Sequence, residues 1–265
     1  MLGKLKAVGR LIIMPKPIIQ VTNITKTYDD KKVVNDISFE VKQGEIFGIL
    51  GPNGAGKTTT LEMIETIREI DGGNIKVNGI DVSKDSQAVK YIIGVQPQSP
   101  AFMDKVKLTE HLEQLASAYG EKVDALKLLE EVGLTDKSNS FAENLSGGQR
   151  QRFSIAASLV HNPKVFFMDE PTTGLDPQAR RNLWELVRKT RDNGVTILIT
   201  THYMEEAEVL CDRVAIMDNG KIIAIDTPKK LIKQLLAKGF KKAQHVEQAN
   251  LEDVFIDLTG KGLRP

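Results

Sequence analysis

The sequence predicts an α/β fold: a mixed, mainly parallel sheet, a small antiparallel β subdomain and an inserted α-helical lobe. Three observations carry that reading. Ile46–Leu50 is an apolar run that passes through GPNGAGKTT (Gly51–Thr59) into Leu61–Ile67, whose apolar residues recur at helical spacing. This is the strand–turn–helix setting of a phosphate-binding loop. Val165–Met168 is a continuous apolar run ending in Asp169-Glu170, as expected of a central parallel strand covered on both faces. From Leu108 to Val160 the pattern is helical almost throughout, and helices in series without strands between them point to a lobe inserted in the core.

The N-terminal stretch MLGKLKAVGRLIIMPKP has an apolar run of only Leu11–Met14, too short for a signal-peptide core. Residues 1–16 are therefore expected to be a disordered leader, with a surface-binding amphipathic arm as the other reading. Ile18–Thr27 and Val33–Val41 are rich in β-branched residues and partly alternate, so they read as antiparallel strands. Tyr28 sits in the polar turn between them. Either it stacks on a base or it is a half-buried residue at a strand end.

The loop itself meets G-x-x-x-x-G-K-[ST] through Gly51, Gly56, Lys57 and Thr58, with Pro52, Asn53, Gly54 and Ala55 between and Thr59 after. Glycines let backbone approach phosphate oxygens closely. The amide N–H groups and the helix N-terminus add partial positive charge. Lys57 is expected to point to solvent until phosphate arrives, and the Thr58 hydroxyl to ligate Mg²⁺. The pattern in this context reads as nucleoside triphosphate binding.

Next come a Gly72-Gly73 turn, a short strand Asn74–Asn78 and a strand Tyr91–Val95, which Gln96-Pro97-Gln98-Ser99-Pro100 interrupts. In the lobe, Leu108, Leu112 and Leu115 fit one apolar face, and Val123, Leu126, Leu129 and Val132 another. Ser146 and Gln149 fit the S-x-x-Q capping box, which needs no ligand. Yet Gly147 and Gly148 weaken a helix start by ~1 kcal/mol each relative to alanine, and bare N–H groups there suit an anion. Asp169-Glu170, beyond the carboxyl end of its strand, can hold Mg²⁺ and polarise a water. Asp176-Pro177 reads as the N-cap and first turn of a helix with Leu183, Leu186 and Val187 on its core face. Val195–Thr200 is a buried strand with His202 at its end, on the same sheet edge as Lys57 and Glu170. Asp218-Asn219-Gly220 marks a hairpin between Arg213–Met217 and Lys221–Ile225. Lys229–Lys242, with six lysines among leucines, reads as a solvated helix face.

The composition is that of a soluble globular protein, with 41% hydrophobic and 27% charged residues. A net charge of +1 gives no reason to expect a nucleic-acid partner. The single cysteine, Cys211, excludes an internal disulfide and a cysteine-cluster zinc site and suits a reducing compartment. No apolar stretch approaches the ~20 residues needed to span a bilayer.

Taken together, the motifs resemble those of the ATP-binding cassette (ABC) family over about Ile18 to Asp226, in the family's order. GPNGAGKT is similar to the Walker A loop, LSGGQ (Leu145–Gln149) to the signature and VFFMDE (Val165–Glu170) to Walker B. GLD (Gly174–Asp176) is similar to the D-loop and His202 to the switch histidine. The resemblance implies a P-loop NTPase cassette with a RecA-like core, spanning residues 17–226 with its helical signature subdomain at about 99–160, and a C-terminal extension, 227–265. It also implies that each ATP lies between the Walker A of one subunit and the signature of another. ATP would then be bound by Tyr28, by Gly51 through Thr59, by Gln98, by Ser146, Gly147, Gly148 and Gln149, and by Asp176. Glu170, His202 and Lys57 would be catalytic, and Thr58, Gln98 and Asp169 would hold Mg²⁺. Gln96 also follows the strand, but the family spacing from Gly94 favours Gln98.

The implied partners are a second ATPase subunit, whether or not identical, and a separate transmembrane permease. The chain would sit peripherally on the cytoplasmic face of the cell membrane. THYMEEAEVLCDRVAIMDNGKI and the closing LEDVFIDLTG resemble the ABC-2 multidrug-type export branch. The alternative is a soluble ABC ATPase of ribosome- or DNA-associated type. Those usually carry two cassettes or a coiled-coil insertion, and neither is visible here.

Overall fold

The computed structural model describes residues 17–240, which fall into two compact units meeting at Pro228 and Lys229. The expected leader, the LEDVFIDLTG tail and Lys241-Lys242 lie outside the described residues.

The first unit begins with β1 (Pro17–Tyr28), β2 (Lys31–Lys42) and β3 (Ile46–Leu50). After the phosphate loop come α1 (Lys57–Ile64), β4 (Gly72–Val77), β5 (Ile80–Asp81), α2 (Ser86–Lys90) and β6 (Ile93–Gln96). The lobe holds α3 (Leu108–Ala118), α4 (Ala125–Glu131) and α5 (Gly147–Leu159). The chain then returns to the core through β7 (Val165–Asp169), α6 (Pro177–Asp192), β8 (Thr196–Thr201), α7 (Met204–Leu210), β9 (Arg213–Asp218) and β10 (Lys221–Asp226).

Two sheets result. One is four-stranded in the order β2-β1-β4-β5, and every pairing in it is antiparallel. The other is six-stranded in the order β10-β9-β3-β8-β7-β6. In it β9, β3, β8, β7 and β6 run parallel, and β10 is an antiparallel edge. β3 and β7 are buried at every position, because parallel strands are covered on both faces. The sheets share a core in which Phe39 of β2 stacks on Phe47 of β3, ring centres 5.3 Å apart. Register then decides where the chemistry lies: Leu50 pairs with Thr201 and Asp169 with Thr200, so the ends of β3, β8 and β7 are side by side.

Several sequence expectations shift. α1 stops at Ile64, and Thr66 adopts φ 66°, so Ile67 is exposed outside the helix. The strand expected at Tyr91–Val95 is β6, starting two residues later, because Ser86–Lys90 forms α2 capped by the Asp85 carboxylate accepting from the Ala88 amide. In α4, Leu126 faces solvent at 55% exposure. Asp124 caps that helix one residue before Ala125, which sets the phase so that Ala125, Leu128 and Leu129 point inward. At the β9–β10 hairpin Asn219 and Gly220 have φ 46° and 74°, the two positive values that such a turn requires. The last helix, α8 (Pro228–Ala237), which lies in the second unit from Lys229 on, has no buried residue.

Candidate active site

Burial of the sheet leaves one edge on which polar groups collect. The phosphate loop follows β3 directly, and its glycines are set by their protein neighbours. A Cβ on Gly51 would lie 2.2 Å from the Met217 carbonyl oxygen, and one on Gly56, at φ 100°, would lie 2.5 Å from that of Val33. Gly56 is also the N-cap of α1 and has no side chain to satisfy the first N–H groups, which therefore stay available to an anion. Beside them is a cavity of about 360 Å³ walled by Asn53, Gly54, Lys57, Thr58, Gln98 and Glu170, among others.

Lys57 is only 4% exposed, which corrects the expectation that it points to solvent. Its Nζ lies 3.2 Å from Glu170 Oε1 and donates to the Pro52 carbonyl at 3.1 Å. A buried ammonium without partners is costly, and the Glu170 carboxylate gives Lys57 its counter-charge. Glu170 is the hub of the cluster. Its Oε2 accepts from Gln98 Nε2 at 3.3 Å and from the Thr173 hydroxyl at 3.4 Å, with His202 Nδ1 at 3.2 Å. Its backbone sits at φ 45°, an uncommon conformation for a side-chain-bearing residue and one that recurs at functional sites. Burial pushes the Glu170 carboxyl up, but hydrogen bonds and charge from Lys57 and His202 outweigh it and hold the group below its usual range.

Asp169 differs. Both its oxygens accept from the Thr58 hydroxyl, at 3.2 and 3.1 Å, and Oδ1 also accepts from the Thr200 hydroxyl. Burial raises its pKa, and the two hydroxyls oppose that without cancelling it. The donor set suits Mg²⁺: a carboxylate, a hydroxyl and an amide, all hard oxygen ligands. Among the described residues no group of three or more His, Cys, Asp or Glu could hold a metal ion by itself.

The other candidates lie elsewhere. Gln96 is fully buried on β6 with both amide atoms unpartnered among the described residues, whereas Gln98 reaches the cavity. Tyr28 is 36% exposed and is not in the cavity wall; the Arg68 guanidinium lies 5.6 Å over its ring and donates to its hydroxyl at 2.8 Å. Ser146 caps α5: the Gln149 amide N–H donates to its Oγ at 3.4 Å, and the Ser146 N–H donates to Gln149 Oε1 at 2.9 Å. Gly147 has open space where a Cβ would be, and a Cβ on Gly148 would lie 3.2 Å from Ala179 Cβ. That contact sets the start of α5 beside the start of α6, where Asp176 Oδ1 accepts from Gln178 N and Ala179 N, both at 2.9 Å.

Sequence reasoning missed three side chains that bind this edge together: Thr173, Thr200 and Gln151. Gln151 is buried on α5, and its Nε2 donates to the Pro171 carbonyl at 2.8 Å, which ties the lobe to the turn after Glu170. Gln151 and Thr200 make their contacts across the fold, so local pattern carries no sign of them, whereas Thr173 reaches back only three residues to Glu170. The one available clue was that Thr200 lies two residues before His202, on a strand expected to adjoin the acids.

A phosphate loop on a parallel strand, an acidic pair on the next strand but one, and a lobe whose helix starts in a capped Gly-Gly turn define an ATP-binding cassette. Comparison with known proteins agrees: the description "ABC transporter" matches residues 34–173. The chain belongs to the ABC transporter family, among its ATP-binding subunits. The linearmycin resistance ATP-binding protein LnrL of Bacillus subtilis (strain 168) is 43% identical over 223 residues, 82% of this chain and 72% of that protein. The Nod factor export ATP-binding protein I of Burkholderia orbicola (strain AU 1054) is 43% identical over 219 residues, 81% of this chain and 72% of that protein. A solved ATP-binding subunit of an ABC transporter superposes with a TM-score of 0.75 at 30% identity, covering 91% of this chain and 99% of its own. An ATP-binding cassette solved in its ADP conformation gives 0.73 at 27% identity, covering 84% and 95%.

Proposed function

We propose that this chain hydrolyses ATP in composite sites formed by two cassettes arranged head to tail, and that hydrolysis drives export of a drug-like or lipid-like substrate through a separate membrane-spanning subunit. One observation carries the reading. Lys57, Thr58, Gln98, Asp169, Glu170 and His202 converge on the edge that holds one cavity, while Ser146–Gln149 form no part of its wall. A second chain could then bring its own α5 start to a phosphate held here, and in a homodimer that pairing closes by a two-fold axis. No described helix is long and apolar enough to cross a membrane, so the pathway is assigned to another polypeptide. The relatives named for linearmycin resistance and Nod factor export favour the export direction. The chain's place is then the cytoplasmic face of the membrane, as a peripheral subunit.

In this mechanism Thr58, Asp169 and Gln98 would hold Mg²⁺, which would supply charge neutralisation on the phosphoryl oxygens. Lys57 leaves Glu170 when phosphate offers a stronger partner, and its ammonium then faces developing negative charge. Glu170, freed on its Oε1 side, accepts the proton of the attacking water. His202, at the rim of the same cluster, steadies that water and the terminal phosphate. Lys57→Ala tests the assignment. It should leave a folded protein with no measurable hydrolysis, and activity within about twofold of wild type would overturn the phosphate-loop role.

A further inference from the structure

Thr200 is the penultimate residue of β8, a strand buried at every position, and is itself fully buried. Valine or isoleucine would serve that packing equally well, yet the hydroxyl here is fully used. It donates to Asp169 Oδ1 and accepts from the Glu170 backbone N–H at 3.1 Å. The same N–H also donates to the Thr200 carbonyl at 3.1 Å. One side chain thus grips the two consecutive acids of the neighbouring strand: the first by its carboxylate, the second by its peptide, just where φ turns to 45°. Asp169 is held from two sides, by Thr58 from α1 and by Thr200 from β8. Were the Thr58 oxygen to ligate a metal, Thr200 would be the hydroxyl left to fix the rotation of that carboxylate.

We propose that Thr200 is a positioning residue for the hydrolytic site, aiming the Asp169 carboxylate at the metal and setting the backbone turn that presents Glu170. This rests on the ATPase reading above and goes beyond it, since Thr200 forms no part of the cavity wall. Carboxylate ligands held by an outer hydrogen bond lose about 10–100-fold in metal affinity or activity when that bond is removed. The fold should survive the loss. Without the hydroxyl, Glu170 N–H keeps the Thr200 carbonyl and Asp169 keeps Thr58, so no buried polar group is stranded.

The test compares Thr200→Val, which keeps the shape, with Thr200→Ser, which keeps the hydroxyl, in the full chain. Two quantities are read: ATP hydrolysis, and equilibrium binding of a non-hydrolysable ATP analogue across a Mg²⁺ titration. Thr200→Val should lower kcat by about tenfold or more and raise the Mg²⁺ midpoint of analogue binding by about tenfold. Binding of the analogue without Mg²⁺ should stay unchanged. Thr200→Ser should recover both quantities to within about threefold of wild type, although it lacks the methyl group. Should the valine variant fail to fold, Thr200→Ala against Thr200→Ser gives the same contrast. The proposal is overturned if the valine variant matches wild type in kcat and Mg²⁺ midpoint, or if the serine and valine variants are equally impaired. Absence of Mg²⁺-dependent hydrolysis in the wild type, by contrast, would overturn the ATPase reading itself.

Discussion

The phosphate end and the signature end of this cassette use similar residues in opposite ways. At the phosphate end buried charges are cross-linked over long sequence separations: Lys57 to Glu170, Thr58 to Asp169, Gln98 to Glu170. At the signature end, the Ser146 and Gln149 side chains each accept from the other's backbone N–H, three residues apart, and Ser146 is exposed. The first region is therefore organised by the chain's own fold, and its charges sit in a low-dielectric setting where each is worth several times its value in water. The second is organised by local capping, and its glycine-rich helix start remains bare towards solvent. Half of the proposed site is preorganised, and the other half is presented.

That contrast can be broken most forcefully at Glu170. Glu170→Gln removes the base while leaving Asp169 and the shape of the cluster, so kcat should fall about 10²–10⁴-fold. ATP should then persist, and light scattering should show a dimer only when ATP is added, since nucleotide occupancy and pairing are linked. Hydrolysis near the wild-type rate in this variant would remove Glu170 from its role.

Ser146→Arg in the same background attacks the presented half. A bulky cation at the helix start should abolish the ATP-dependent dimer. The isolated chain should lose only its cap, about 1 kcal/mol, read as a small fall in Tm. A dimer that persists would place the partner contact elsewhere.

A third experiment sharpens the electrostatic side. Glu65, at the far end of α1, is buried, and burial together with the charges of Asp169 and Glu62 raises its carboxyl to about 8. The folded chain holds that proton over a range where the unfolded chain has released it. Stability is thus full at low pH and declines as pH rises towards about 8, by at most about 1.4 kcal/mol per unit. Glu65→Gln should flatten the fall in Tm between about pH 5 and about pH 8; an unchanged slope would show that other groups set it.

The smallest effect is expected at Tyr28. With its ring half exposed and already flanked by Arg68 and Lys26, Tyr28→Ala should weaken ATP and GTP binding by comparable factors, at the lower end of the roughly 1–3 kcal/mol of base stacking. Nucleotide titrations matching wild type would leave Tyr28 as a strand-end aromatic held by Arg68.

What the sequence determined by itself was whatever depends on contiguous residues. The S-x-x-Q cap, the Asp176 cap and the Asn219-Gly220 turn are local devices, and each forms where its motif stands, because the atoms that satisfy them lie within a few residues. The phosphate loop also forms where its motif stands, although the distant Met217 and Val33 carbonyls are what its glycines make room for. Apolar runs likewise placed β3 and β7, since strands covered on both faces admit almost no polar residue. What only the tertiary structure decided were contacts whose partners are far apart in the chain. The capture of Lys57 by Glu170, the choice of Gln98 over Gln96 at the cavity, the outward turn of Leu126 and the grip of Thr200 on both acids follow from strand register and helix phase. A shift of one residue in register would reverse which side of the sheet a side chain faces, and no local pattern records which residue will stand opposite.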